Sequence, residues 1–139
     1  MSALHQFTCV AIKGRAVLID GAPGSGKSSL ALALIDRGAT LVGDDGVSLS
    51  ALNGRIFASP APKTAGLIEV RNVGLVTLPC AEGIPVSLLL RLDPEAPRFV
   101  DEAQVAELLG ITMPSLRLWP ESPVLHLRAE FALARFGLP

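Results

Sequence analysis

Apolar residues along the chain fall in short blocks, separated by glycine- or proline-bearing polar segments, and the blocks carry two different periods. Residues 9–20, CVAIKGRAVLID, predict two strands around a turn at Lys13-Gly14, the second ending at Gly21. Residues 27–38, KSSLALALIDRG, predict a helix: good helix formers, Leu30, Leu34 and Ile35 near helical spacing, and Gly38 as a stop. ATLV (39–42) gives a short strand and GDDG (43–46) a tight polar turn. VSLSAL (47–52) and RIFAS (55–59) form a predicted hairpin through Asn53-Gly54. SPAPK (59–63) reads as a surface loop, GLIEV (66–70) and GLVTL (74–78) as strands, and IPVSLLLRL (84–92) as a buried strand. The acidic start and terminal glycine of DEAQVAELLG (101–110) predict a second helix. PVLHLR (123–128) is strand-like and AEFALARFG (129–137) a short helix. The order opens β-loop-α-β and then becomes strand-rich. That predicts an α/β fold with a mixed sheet, since a doubly wound parallel sheet needs more helices.

Composition narrows the class. Half of the 139 residues are hydrophobic and 18% are charged, which fits one globular domain over residues 1–139. A formal net charge of -1 with no long charged run argues against nucleic-acid and membrane-surface partners, leaving local patches open. Runs such as VSLLL are too short to span a bilayer, and the first ten residues lack the pattern of a signal peptide. Two cysteines, Cys9 and Cys80, read as thiols in a reducing cytoplasm rather than as a disulfide scaffold.

The chemistry begins at GAPGSGKSS, residues 21–29, which spells Gly-x-x-x-x-Gly-Lys-Ser between a predicted strand and a predicted helix. Gly21, Ala22, Pro23, Gly24, Ser25 and Gly26 would wrap their N–H groups around phosphate oxygens, helped by the positive end of the helix that follows with Ser29 in its first turn. Lys27 would neutralise the β- and γ-phosphates and Ser28 would hold Mg²⁺. Asp44 and Asp45 follow the next strand, where one carboxylate can support Mg²⁺ and the other take a proton. Without the loop upstream the same pair would read as a solvated Asp-Gly turn. Glu69 and Arg71 lie two apart, so on a strand they share a face, either as metal ligand and charge stabiliser or as a structural ion pair. Neither histidine, His5 or His126, belongs to a cluster with zinc spacing.

Together, GAPGSGKSSLALALIDRGATLVGDDGVSL and AGLIEVRNVGLV, with LHQFTCVAIKGRAVLID ahead of them, resemble the catalytic domain of HPr kinase/phosphorylase. The resemblance runs from about His5 to Leu92. It implies a mixed α/β phosphate-loop domain with a nucleotide site like that of phosphoenolpyruvate carboxykinase, and the short proteobacterial form without an N-terminal domain. It further implies an ATP- and Mg²⁺-dependent serine kinase in the cytoplasm, acting on the phosphocarrier HPr in the phosphotransferase system, and assembled as a hexamer. By the same resemblance, Lys27 contacts phosphate, Ser28 and Glu69 contact metal, and Asp44 or Asp45, with a preference for Asp45, is the base. By that resemblance His5 matches the histidine near the reacting phosphate. Two departures stand out. The family's Glu-x-Arg-Gly-x-Gly appears as Glu69-Val70-Arg71-Asn72-Val73-Gly74, and no late arginine-rich loop is found, which favours the kinase over the phosphorylase direction. The alternatives are a module that senses ATP without transferring phosphate, and a kinase for another substrate.

Overall fold

A computed structural model describes residues 2–139. In chain order the elements are β1 (Ser2–His5), β2 (Thr8–Ile12), β3 (Arg15–Gly21), α1 (Lys27–Asp36), β4 (Thr40–Gly43), β5 (Val47–Leu52) and β6 (Arg55–Pro60). A 3-10 turn at Pro62–Thr64 follows, then β7 (Leu67–Val70), β8 (Gly74–Thr77), β9 (Ile84–Leu92), β10 (Gln104–Leu108), β11 (Ile111–Leu118) and α2 (Leu125–Phe136).

The sheet is organised around β3. It pairs antiparallel with β2, which pairs antiparallel with β4, so β3 and β4 run the same way and end at the same edge. On its other side β3 pairs in parallel with β9, from Ala16↔Val86 to Gly21↔Leu92. β9 then changes partner along its far edge. Ile84 and Pro85 pair antiparallel with β6, whereas Leu89 to Leu92 pair in parallel with β11. β6, β5 and β1 continue antiparallel, β10 borders β11, and β7–β8 form a separate hairpin. This is a mixed α/β sheet, as the element order predicts.

Alternation along the central strands sorts the core into two layers. Val17 and Ile19 of β3 and Leu88, Leu90 and Leu92 of β9 pack with Leu30 and Leu34 of α1 and Leu133 of α2. Ala16, Leu18, Val86 and Leu89 face the opposite side, against Leu49 and Ile56 of the β5–β6 ribbon. β9 is therefore covered on both faces, which is why its sequence is nearly continuous in apolar residues.

The structure departs from expectation at several points. Residues 101–110 do not form a helix: Gln104–Leu108 is β10. Leu109 and Gly110, at φ 51° and 75°, make the two-residue turn that folds β10 onto β11. The glycine that resembles a helix stop is thus a hairpin residue, and Ala106 alone of Val105, Ala106 and Glu107 is buried, the period of a strand. β11 is absent from the predicted elements; its pairing with β9 and β10 makes Ile111–Leu118 a strand despite Pro114. Finally, the strand-like 123–128 and the short helix 129–137 are one helix, α2, whose buried Leu125, Ala129, Ala132 and Leu133 recur at helical spacing. The proline-rich 59–63 is part strand end and part 3-10 turn.

Candidate active site

The sheet brings two carboxyl-terminal strand ends together. From β3 the chain enters the loop at Gly21 and leaves it at Gly26, which starts α1 at φ 102°. Gly24, at φ 79°, also occupies the left-handed region that a side chain would disfavour. Space at Gly21 is tight: a Cβ there would stand 3.2 Å from Leu92 Cβ and 3.3 Å from Ser25 Cβ. α1 has no side-chain cap and no acidic residue in its first turn, so its positive end remains available to an anion. Ser25 Oγ, within this loop, is buried without a hydrogen-bond partner.

Lys27 Nζ donates to the Gly21 carbonyl at 3.1 Å and lies 3.6 Å from Asp45 Oδ1. The ammonium thus bridges the loop to the acidic turn. Only 15% of the Lys27 side chain is exposed, against 67% for Asp45. The loop entrance is braced by Asp20, whose Oδ1 accepts the Gly21 N–H at 2.9 Å and whose Oδ2 faces Arg91 Nε at 3.7 Å.

From β4 comes the acidic turn. The β2–β4 register shifts between Cys9↔Gly43 and Val10↔Leu41, a bulge immediately before the aspartates. The turn then closes so tightly that a Cβ on Gly43 would collide with the Gly46 carbonyl oxygen. Asp45 adopts φ 53°, a left-handed conformation that aspartate tolerates better than most residues. Asp44 is directed back at the loop, where its Oδ1 accepts Ser28 Oγ at 2.6 Å and Thr8 Oγ1 at 3.2 Å. Its Oδ2 accepts the Glu69 N–H at 2.9 Å. One carboxylate therefore ties together α1, β2 and β7.

A cavity of about 430 Å³ opens over these groups, lined by loop residues, Lys27, Ser28, Asp44, Asp45, Glu69 and Arg71. The exposed Glu69 and Arg71 form none of the ion pairs among the described residues, so the reading of them as a structural pair has no support. Asn72 stands at φ 71° in the following turn. Asparagine is one of the few residues that adopt this conformation readily, so it occupies a backbone position suited to the glycine it replaces.

His5 is placed differently from the other candidates. It lies on β1 opposite Val47, stacks on Phe7 with ring centroids 5.8 Å apart, and is not among the residues lining the cavity. Thr8, Asp20 and Gly43 touch the loop or the acidic turn, and the sequence does not single them out. Their roles depend on strands that meet only in the folded sheet.

The arrangement suits a polyphosphate with a divalent cation. Among the described residues no three His, Cys, Asp or Glu side chains converge as a metal cage. Magnesium commonly binds through one or two carboxylates plus substrate phosphates, so Ser28, Asp44 and Glu69 beside a phosphate loop fit that ion. The uncapped start of α1 fits the phosphates.

Comparison with known proteins agrees. The chain is similar to HPr kinase/phosphorylase of Clostridium tetani, 40% identical over 75 residues covering 54% of this chain and 25% of that protein. The Clostridium novyi protein of the same name is 39% identical over 75 residues, covering 54% and 24%. The chain thus spans about a quarter of the length of these relatives. A solved structure, the Hpr(Ser) kinase/phosphatase from Coxiella burnetii, superposes with a TM-score of 0.84 at 26% identity, covering 95% of this chain and 94% of that one. The family model described as HPr Serine kinase C-terminal domain matches residues 2–85, and the chain belongs to that family.

Proposed function

We propose that this protein is an ATP- and Mg²⁺-dependent kinase that phosphorylates a serine of the phosphocarrier HPr. One observation carries the reading: Asp44 joins the Ser28 hydroxyl of the phosphate loop, while the neighbouring Asp45 faces Lys27 from the same turn. Loop N–H groups and Lys27 would hold the β- and γ-phosphates, with Ser28, Asp44 and Glu69 beside the metal. Bound there, Mg²⁺ supplies charge neutralisation of the phosphoryl oxygens.

The two aspartates divide the work by their surroundings. Both Asp44 oxygens already accept hydrogen bonds, whereas Asp45 is exposed, with only Lys27 beside it. Asp45 is thus the better placed to take the acceptor serine's proton as its oxygen bonds to the γ-phosphorus and the bond to ADP breaks. Arg71, in the cavity lining, would stabilise the transferring charge; a role for His5 rests on the resemblance alone. By resemblance the protein is cytoplasmic and a homo-hexamer; none of the described helices is long and apolar enough to cross a membrane.

The test is transfer of labelled phosphate from ATP to purified HPr, with the acceptor serine replaced as control. Lys27→Ala is expected to abolish transfer. Full transfer by that variant, or ATP binding by the parent with no transfer at all, refutes the kinase reading; the latter result supports a nucleotide sensor.

A further inference from the structure

Thr8 is a polar residue without exposed surface at the start of β2, among apolar neighbours Cys9 and Val10. A fully buried hydroxyl needs partners, and here both lie in the acidic turn. Thr8 Oγ1 donates to Asp44 Oδ1 at 3.2 Å and accepts the Asp45 N–H at 3.1 Å. The two bonds have different purposes. The first fixes the side chain of Asp44 against Ser28, and the second fixes the backbone of Asp45.

That second bond matters because Asp45 has an unfavourable backbone. At φ 53° it needs an outside hold, and its N–H is what Thr8 captures. The β4 bulge and the tight Gly43–Gly46 turn bring the chain around, and Thr8 adds a hydrogen bond to each aspartate within it. Thr8 touches both residues from a strand that is locked on each side by β3 and β4. It is thus referenced to the rigid sheet, while the loop and the turn are not.

We propose that Thr8 is a positioning residue: its buried hydroxyl sets the relative geometry of Asp44 and Asp45, and thereby aligns the proton acceptor with the metal-side carboxylate. This rests on the kinase reading for its catalytic consequence, although the positioning itself does not. Valine has the same shape as threonine without the hydroxyl. Thr8→Val keeps the packing, removes one donor from Asp44 and leaves the Asp45 N–H unpartnered. Thr8→Ser restores both bonds.

The experiment compares parent, Thr8→Val and Thr8→Ser by three measurements. In phosphate transfer to HPr, Thr8→Val is expected to lower kcat roughly 10- to 100-fold, the size expected for losing one or two hydrogen bonds at a charged group. KM for ATP is expected to stay within about threefold, because the phosphate loop is intact, and Thr8→Ser is expected to recover most of kcat. By amide hydrogen exchange, the Asp45 N–H is expected to exchange at least about tenfold faster in Thr8→Val and to regain protection in Thr8→Ser. Thermal unfolding identifies a variant that fails to fold, in which case Thr8→Ser and Thr8→Ala decide.

Unchanged Asp45 exchange in Thr8→Val overturns the positioning role whether or not the protein transfers phosphate. A parent that transfers no phosphate while Asp45 exchange responds as expected overturns the kinase reading and leaves the positioning intact. Equal loss of kcat in Thr8→Ser and Thr8→Val shows that shape, not the hydroxyl, matters, and also overturns the proposal.

Discussion

The acidic turn offers a test in which two glycines of the same tetrapeptide have opposite fates. Neither Gly43 nor Gly46 has a positive φ, so backbone conformation does not require glycine at either position. Space does, at one of them. A Cβ on Gly43 would meet the Gly46 carbonyl oxygen, a backbone atom that cannot rotate away, with Val47 Cβ at 3.5 Å behind it. On Gly46 the nearest atoms would be Ala61 Cβ at 3.7 Å and Thr64 Oγ1 at 3.8 Å, ordinary contact distances. Gly43→Ala must therefore open the turn. Overpacking of this kind costs about 1–3 kcal/mol, which at this chain length lowers Tm by roughly 3–12 °C. The opening displaces Asp44 and Asp45, and a misplacement on the order of 1 Å costs about 100-fold in rate. Gly46→Ala is expected to leave Tm unchanged or slightly higher, since alanine restricts the unfolded chain by about 0.4–1 kcal/mol. The assays are thermal unfolding by circular dichroism and initial rates of phosphate transfer to HPr. A Gly43→Ala variant with parental Tm and rate, or a Gly46→Ala variant equally damaged, would refute the claim that closeness at Gly43 builds the site.

Three further outcomes concern the core and the two thiols. Burial pushes the Cys9 thiol far above the ordinary cysteine range, so the folded state keeps its proton while the unfolded chain releases it. Stability from this group is complete below about pH 8.5 and is lost above it, by about 1.4 kcal/mol per pH unit. Urea unfolding between pH 9 and 10.5 is expected to show a shallower pH dependence for Cys9→Ala than for the parent; identical slopes would contradict the burial. A thiol reagent is expected to label exposed Cys80 promptly in the native protein and Cys9 only after unfolding. Leu90→Ala, at a position with no exposed surface on β9, is expected to lose about 2–5 kcal/mol in urea unfolding, and a loss below 1 kcal/mol would contradict its place in the core.

What the sequence reveals by itself is local. The phosphate loop is legible because its glycines, lysine and serine must occur in fixed order between strand and helix. The Asn53-Gly54 hairpin is legible because few residues adopt the required φ values, here 52° and 76°. Asp44 stands out only in company, since an Asp-Asp-Gly turn is common and its meaning comes from Ser28, sixteen positions earlier. Thr8 gives no signal, because its two partners depend on how β2 sits against β4. The same reason explains β10. QVAEL is composed mainly of acceptable helix formers, and only the neighbouring β11 makes it a strand. Where a role depends on partners distant along the chain, local pattern is a weak guide.

The change of partners along β9 has a consequence for how the molecule comes into being. The phosphate-loop strand β3 is made early, but its parallel neighbour begins only at Ile84, with Ala16 meeting Val86. A nascent chain holding everything up to β8 therefore has the glycine loop, its lysine and both aspartates, yet β3 presents an unpaired apolar edge. Such an edge invites pairing with other chains. Long-range parallel pairing is also intrinsically slow, because loop closure must precede the contacts that reward it. Assembly of the nucleotide site thus waits on a strand that contributes no residue to the cavity lining, and the yield of folded protein should be limited by the arrival of β9 rather than by the loop itself.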